Sequence, residues 1–131
     1  CFNDMSARNY QKLDGQWARA KGFDTFAPFG PWITMGLPVD DLQVECRVNG
    51  ERRQLGRTRD LIHPVPKLIA HLSRIMTLEP GDVIATGSPA GVGSARNPPV
   101  FFKAGDVSVC TYEGIGTLMN PIVGARAQTS R

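Results

Sequence analysis

The feature that most constrains the fold is a hairpin signal near the middle of the chain. Apolar residues alternate with polar ones over 42–48, and the dipeptide Asn49-Gly50 follows at once. Alternation with a period of two is typical of a half-buried strand. Asn-Gly suits a two-residue turn because both central residues of that turn take positive φ. The sequence therefore predicts a β-hairpin whose second strand covers 51–55.

The other elements are short, and strands outnumber helices. The first helix is capped by Ser6 and ended by Asp14-Gly15, and a helical turn follows over 17–21. An amphipathic helix has an apolar stripe over 68–76 and is preceded by Pro66. The remaining strands are predicted over 83–85, 107–111 and 114–118. Such a mixture predicts the α+β class, mostly β. The chain shows no internal repeat and no linker between two domains.

Composition indicates an ordinary globular chain that resides in the cytoplasm. The hydrophobic fraction is 41% and the charged fraction 21%, and no apolar run reaches the roughly 18 residues of a membrane span. The three cysteines, Cys1, Cys46 and Cys110, are odd in number and far apart. This spacing favours reduced packing residues over zinc ligands or a disulfide framework. No membrane partner is expected.

The net charge of the chain is slightly positive, which is compatible with an anionic ligand. The net charge is +3, and the only dense basic cluster is formed by the arginines at 52, 53, 57 and 59. No aromatic platform or recognition motif accompanies these arginines, so they predict a solvated hairpin end rather than a nucleic-acid site.

The two ends differ in character. Cys1 and Phe2 are followed directly by Asn3 and Asp4, a pattern that suggests the end of a buried strand whose beginning is missing. The polar segment 124–131 predicts a flexible tail.

Four residues near the first helix could carry chemistry. Arg8 and Gln11 are three apart and would share a helix face, and Asp4 and Lys21 lie on either side. Spacing alone favours a helix cap over a cation ligand at Asp4, since one carboxylate does not complete a site for a hard cation. The glycines at 87, 91 and 93 fit neither phosphate-loop pattern, which argues against nucleotide binding.

Several segments in a fixed order resemble the fumarylacetoacetate hydrolase family. Residues 3–11 (NDMSARNYQ) are similar to its NDxSARDxQ signature. Further matches are 17–25 (WARAKGFDT), the hairpin 48–51 (VNGE) with Gln54, 78–93 (LEPGDVIATGSPAGVG), 105–106 and 114–120. The similarity covers about residues 2–122, and the ordered series is far more specific than any one part.

This resemblance implies a layered, mixed β-sheet fold with few short helices, of which 1–123 would be the C-terminal portion and the N-terminal part would be missing. Family members are typically homodimers. They use Mg²⁺, or Mn²⁺ or Ca²⁺, to bind the oxygens of a small keto or enol acid.

The resemblance also assigns roles by position. It implies a metal ligand at Asp4, a catalytic lysine beside the metal at Lys21, and a residue that supports the metal site at Thr25. The implied substrate-contacting residues are Arg8, Gln11, Gly87 and Ser88. Ser88 stands where Thr is commoner, and Asn9 where Asp is commoner. Two further metal carboxylates, a Glu-x-Glu pair, and the family's catalytic His and Glu are expected upstream of residue 1.

Three functional hypotheses follow. The first is a Mg²⁺-dependent hydrolase that cleaves a C–C bond of a diketo or acylpyruvate-type acid. The second is an isomerase or decarboxylase acting on a 2-oxo or 2-hydroxy-dienoate diacid or on oxaloacetate. The third is a catalytically silent piece with a structural or dimerising role.

Overall fold

A four-stranded antiparallel sheet is the centre of the fold. The computed structural model describes residues 1–124, and the strand order is β2-β1-β3-β4. The strands are β1 Gln43–Val48, β2 Glu51–Arg57, β3 Val107–Tyr112 and β4 Gly116–Pro121. The helices are α1 Arg8–Asp14, α2 Ala18–Lys21 and α3 Val65–Leu72, with 3₁₀ turns at Thr58–Asp60 and Gly93–Ala95. The predicted class, α+β and mostly β, is confirmed. Apart from Gly124, the predicted tail lies outside the described residues.

The predicted hairpin forms β1 and β2. Asn49 and Gly50 take φ angles of 52° and 82°, the positive values that a tight turn of this kind requires. The return strand continues to Arg57, two residues beyond the prediction. A bulge shifts the register between Cys46 and Arg47, and bulges of this kind increase the local twist of a strand.

The turn is tied to the start of β3 through Asn49. Its Nδ2 donates to Asp106 Oδ1 over 2.9 Å, and its Oδ1 accepts from the Val107 backbone N–H over 2.9 Å. The Asn49 backbone N–H donates to the Val107 carbonyl over 3.0 Å. These bonds fix β3 beside β1, although about 60 residues separate the two strands in the chain.

The protein that carries this chain at its natural length is called the full-length protein below. Asp106 should make the stability of its fold sensitive to acid. Its pKa lies below the usual 3.8 because the Lys103 backbone N–H and the Asn49 amide both donate to the carboxylate. The stabilisation is therefore complete above about pH 4 and is lost as the pH falls through the folded-state pKa. Asp106→Asn should lower the urea midpoint at pH 7, and the gap to wild type should narrow below pH 4. Asp40→Asn, at an exposed position, is the matched control. A gap that stays constant with pH would contradict the prediction.

Three local predictions were wrong. The segment 83–85 has no regular secondary structure and pairs with no strand in the described chain, and Val83 is 55% exposed. Helix α3 ends at Leu72 rather than near Met76, because Ile75 and Met76 remain exposed and a short helix needs a packed face to persist. The residue preceding α1 is Ala7, without a side-chain cap; the Ser6 hydroxyl instead donates to the Asp4 carbonyl.

The arginine cluster is largely neutralised by carboxylates. Arg57 pairs with Asp41 and with Glu113, and Arg59 lies 3.1 Å from Asp41. Arg53 lies 2.9 Å from Glu51. Three of the four arginines therefore belong to local ion pairs.

Large apolar side chains remain uncovered in residues 1–124. The buried apolar residues of this region are Ala20, Leu42 and Cys110. The exposed aromatic residues include Trp17, Phe29, Trp32 and Phe101, each more than half exposed. None of the helices in this region has both the length and the apolar character needed to cross a membrane.

Candidate active site

Asp4 is held in place by its neighbour, Asn3, which reaches into the sheet. The Asn3 side chain is buried and donates to Ser108 Oγ over 3.2 Å and to Asn120 Oδ1 over 3.3 Å. The Asn3 backbone N–H donates to the Pro28 carbonyl over 3.0 Å. Because Asn3 is hydrogen-bonded to two strands and one loop, the backbone position of the next residue, Asp4, is fixed.

A second anchor lies one residue earlier. The Tyr112 hydroxyl, at the end of β3, donates to the Phe2 carbonyl over 2.9 Å. Burial raises the pKa of Tyr112, and the nearby Cys110 contributes to the same shift. Tyr112 therefore stays protonated and remains a hydrogen-bond donor across the neutral range.

Lys21, the last residue of α2, forms an ion pair with Asp4 through Nζ and Oδ2. The side chains are 28% and 27% exposed. A pair this accessible contributes only about 1 kcal/mol or less to stability. Its importance lies in position, because it places an ammonium and a carboxylate side by side at the wall of a cleft.

Helix α2 is itself fixed against the Asp4 segment. The Ala7 backbone N–H donates to the Ala20 carbonyl over 2.9 Å. Arg19 donates from Nε to Asp14 Oδ2 over 2.7 Å, and its guanidinium lies 4.5 Å from the centre of the Tyr10 ring. The hydrogen bond from Arg19 lowers the pKa of Asp14. These contacts keep Lys21 facing Asp4.

Arg8 and Gln11 share a face of α1, as predicted. Arg8 donates from Nη1 to Gln11 Oε1 over 2.7 Å. The Gln11 Nε2 is buried without a hydrogen-bond partner among residues 1–124. Arg8 lines the cleft and Gln11 does not, so Gln11 orients Arg8 from behind rather than facing the cleft.

The loop over 87–100 closes another side of the cleft and is clamped to β2. Gln54 donates from Nε2 to the Pro89 carbonyl over 2.7 Å. Arg96 donates to the carbonyls of Arg53 and Gly91 over 2.9 and 3.2 Å. The loop is irregular but has defined partners, so Gly87 and Ser88 are carried by a fixed support.

Thr25 lies in the loop after α2 with a φ of 68°. Positive φ is unfavourable for a β-branched residue and is concentrated at functional loops. In residues 1–124 the Thr25 hydroxyl is not hydrogen-bonded to Asp4 or Lys21. The observed conformation brings Thr25 to the cleft without showing the supporting contact that was expected.

One open cleft collects most of the predicted residues. Its walls include Asp4, Arg8, Lys21, Thr25, Gly87 and Ser88. These positions come from three separate parts of the chain, and only Gln11 of the predicted set is outside the lining. The predicted set contributes two cationic side chains and one carboxylate to a lining that also contains Arg53, Arg96, Lys103 and further carboxylates. A partly apolar cleft with such cations suits a small anion that carries further oxygen atoms.

The residues described do not by themselves fit a bound divalent cation. Asp4 is a suitable hard oxygen ligand, but it is already paired with Lys21. No group of three or more His, Cys, Asp or Glu side chains close enough to hold a metal is found in residues 1–124. Mg²⁺ normally requires near-octahedral oxygen coordination, and Asp4 alone does not complete such a site.

Several supporting residues were missed by sequence reasoning. Asn3, Tyr112 and Arg96 have no local signal that reveals their partners, which lie 105, 110 and 43 residues away along the chain. Asn3 lies in the NDMSARNYQ segment, and this motif was the only sequence signal that indicated a role for Asn3.

Comparison with known proteins agrees with the geometry. Residues 1–123 match the family described as Fumarylacetoacetate (FAA) hydrolase C-terminal. The chain belongs to the fumarylacetoacetate hydrolase family. This confirms the resemblance deduced from the ordered motifs, and with it the family fold.

Solved and curated members of the fumarylacetoacetate hydrolase family match over most of the chain. A 5-carboxymethyl-2-hydroxymuconate delta-isomerase from Mycobacterium smegmatis is 51% identical with a TM-score of 0.85, covering 93% of this chain and 46% of its own. A fumarylacetoacetate hydrolase from Exiguobacterium antarcticum is 47% identical with a TM-score of 0.92, covering 95% and 46%. A mitochondrial oxaloacetate tautomerase from Xenopus laevis is 45% identical, covering 92% and 40%.

The chain spans less than half the length of the curated relatives it matches. The shares are 47%, 44% and 46% for the first three. The family is enzymatic, and its similar members include a hydrolase, an isomerase and a tautomerase.

Proposed function

We propose that this chain is part of a metal-dependent enzyme that cleaves a C–C bond of a small diketo or acylpyruvate-type acid by hydrolysis. The observation that carries the proposal is the Lys21–Asp4 pair, placed with Arg8 in one cleft. A 2-oxo acid presents a carboxylate and an adjacent oxygen that becomes negative as an enolate develops. Arg8 and Lys21 supply one cation for each of these charges.

Arg8 would bind the substrate carboxylate. Its guanidinium is a planar fork suited to two parallel hydrogen bonds, and its bond to Gln11 restricts its rotation. The backbone N–H groups near Gly87 and Ser88 would approach the same substrate, since glycine allows close contact. These groups fix orientation, which lowers the entropic cost of the reaction.

Lys21 would stabilise the enolate oxygen. The ammonium is compact, carries three donors, and is held at the cleft wall by Asp4. A preorganised cation at the site of developing charge is the type of interaction that contributes most to catalysis.

The metal dependence forms part of the proposal. Asp4 would hold Mg²⁺, or Mn²⁺ or Ca²⁺, together with two carboxylates from the rest of the full-length protein. When bound, such a cation polarises the adjacent substrate oxygens and lowers the pKa of water.

A second candidate activity is isomerisation of a 2-hydroxy-dienoate diacid or tautomerisation of oxaloacetate. It is favoured by the relatives described as a delta-isomerase and a tautomerase. These reactions, and decarboxylation of oxaloacetate, use the same enolate stabilisation. They differ from hydrolysis in where water and protons are delivered.

Product identity separates these activities. The full-length protein is incubated with an acylpyruvate, with oxaloacetate and with a hydroxymuconate-type diacid, and products are identified by NMR in the presence of Mg²⁺ and after EDTA treatment. We expect pyruvate and a carboxylic acid from the acylpyruvate, and at least a hundredfold loss of rate on metal removal, by analogy with other metal-activated hydrolyses. Turnover of only the other substrates would replace hydrolysis with the second candidate. EDTA-resistant turnover would contradict the metal dependence.

The third candidate, a silent structural or dimerising role, is favoured by the uncovered aromatic side chains. Trp32 and Phe101 are 58% and 57% exposed, and apolar groups of this size are usually covered by protein. We propose that the full-length protein is a homodimer in the cytoplasm, where thiols such as the three free cysteines of this chain stay reduced. Light scattering tests the dimer, and a large loss of turnover in the Lys21→Met variant of the full-length protein would refute the silent role of this chain.

A further inference from the structure

Cys46 and Cys110 are direct partners on adjacent antiparallel strands, β1 and β3. Main-chain hydrogen bonds join Gln43 to Glu113 and Asn49 to Val107. Bonded and non-bonded pairs alternate along such a ladder. Cys46 is three positions from each bonded pair, so Cys46 and Cys110 form a non-hydrogen-bonded pair. The Cα atoms of such a pair lie about 4.5 Å apart, at the short end of the range of about 4.4–6.8 Å that a disulfide spans.

The two thiols differ in environment. Cys110 is 5% exposed, whereas Cys46 is half-buried, and both line the cleft that contains Asp4 and Lys21. The neighbouring Cys110 thiol lowers the pKa of Cys46 against the opposing effect of burial, and the Ser108 hydroxyl adds to the lowering. The same interaction and burial raise the pKa of Cys110. Cys46 therefore ionises first, and the thiolate is the reactive form of cysteine.

We propose that Cys46 and Cys110 are a peroxide-sensitive pair that closes to a reversible disulfide. The Cys46 thiolate attacks one oxygen of a hydroperoxide, the O–O bond breaks, and hydroxide or alkoxide leaves, so that Cys46 becomes a sulfenic acid. The Cys110 sulfur then attacks the Cys46 sulfur, and the hydroxyl leaves with the Cys110 proton as water. Two thiols and one peroxide give one disulfide, with water and either water or an alcohol.

The pair is linked to the cleft through Ser108. Its hydroxyl lies 3.8 Å from Cys46 Sγ and accepts from the Asn3 amide over 3.2 Å. Asn3 in turn positions Asp4. A disulfide between Cys46 and Cys110 moves Cys46 Sγ away from its reduced position, and this shift alters the Ser108–Asn3 contact.

The test uses the reduced full-length protein and hydrogen peroxide. After one equivalent of peroxide, free thiols are alkylated under denaturing conditions and the digest is examined by mass spectrometry. We expect a cross-linked peptide that joins Cys46 to Cys110, two hydrogen atoms lighter than the reduced pair and reversed by dithiothreitol. Recovery of both residues as alkylated thiols, or of Cys46 as sulfinic acid without a cross-link, would overturn the proposal.

Variants distinguish the two roles. In Cys110→Ser, a dimedone adduct should accumulate at Cys46, since no second thiol resolves the sulfenic acid. In Cys46→Ser, Cys110 should stay alkylatable after peroxide. Cys1→Ser is the matched control, because Cys1 also lines the cleft and donates to the Gly116 carbonyl, and it should retain the cross-link. Equal dimedone labelling of wild type and Cys110→Ser would overturn the assignment of Cys110 as the resolving thiol.

Activity provides a separate readout that rests on the proposed function. Peroxide should lower the turnover of the wild type, and dithiothreitol should restore it, while Cys46→Ser should be insensitive. A cross-link that forms without any change in turnover would overturn the link through Ser108. Absence of turnover in the reduced protein would count against the proposed function and would leave the mass-spectrometric result valid.

Discussion

Replacing Lys21 with methionine should lower the kcat/KM of the full-length protein by about a hundredfold to a thousandfold. That is the usual effect of removing one group that stabilises developing negative charge. Methionine keeps much of the length and apolar character of the lysine stem but removes the ammonium that faces Asp4. The pair is partly exposed, so the fold should lose about 1 kcal/mol or less. Steady-state kinetics and thermal unfolding, measured on the same preparations, separate the two effects.

The matched control is Lys12→Met. Lys12 is an exposed residue in the last turn of α1 and is not among those lining the cleft. Its replacement should leave kcat/KM unchanged. Lys21→Arg keeps a positive charge with a different shape and should recover part of the rate. If Lys21→Met behaves like Lys12→Met, Lys21 has no part in the reaction, and the ion pair with Asp4 is only structural.

Gly91→Ala should be strongly destabilising. Gly91 has a φ of 104°, and a Cβ built there would lie 2.1 Å from the Arg53 carbonyl oxygen. That oxygen belongs to the backbone of β2 and also accepts from Arg96, so it cannot move without breaking the contact between loop and sheet. Backbone strain and overpacking together should cost roughly 3 kcal/mol or more. The urea midpoint of the full-length protein measures this.

Gly105→Ala is the control that separates the cost of the Cβ clash at Gly91 from the cost of a positive φ. Gly105 has a φ of 94°, close to that of Gly91, but a Cβ there would meet nothing within 4 Å. The control should therefore show only the strain of positive φ, about 1–2 kcal/mol. Equal losses for the two variants would mean that the loop can move away from β2. In that case Gly87 and Ser88 would not be held as rigidly as their support indicates.

Local patterns in the chain were sufficient for β1, β2 and β3, whereas β4 covers Gly116–Pro121 rather than the predicted 114–118. The alternation over 42–48 and the Asn49-Gly50 turn predicted β1 and β2, and the alternation at 107–111 predicted β3. These signals work because side-chain period and turn conformation depend on neighbours a few residues apart. The same reasoning was wrong for 83–85, where an apolar run looked like a strand but no neighbouring strand pairs with it.

The candidate site was predictable in part. Asp4, Arg8 and Lys21 were identified by the ordered family motifs, and the structure brings them to one cleft. Their supports were not predictable, because Asn3, Tyr112 and Arg96 make their hydrogen bonds to residues far along the chain. Nothing in a local pattern reports such partners.

The sequence by itself determined the family, the hairpin and the residue types available for chemistry. Only the tertiary structure decided that Cys46 faces Cys110, that Gln11 lies behind Arg8, and that Lys21 pairs with Asp4. The physical reason is that strand register and loop packing are set by contacts between distant segments. A shift of one residue in β1 would turn Cys46 to the other face of the sheet, although every local preference in the sequence would remain the same.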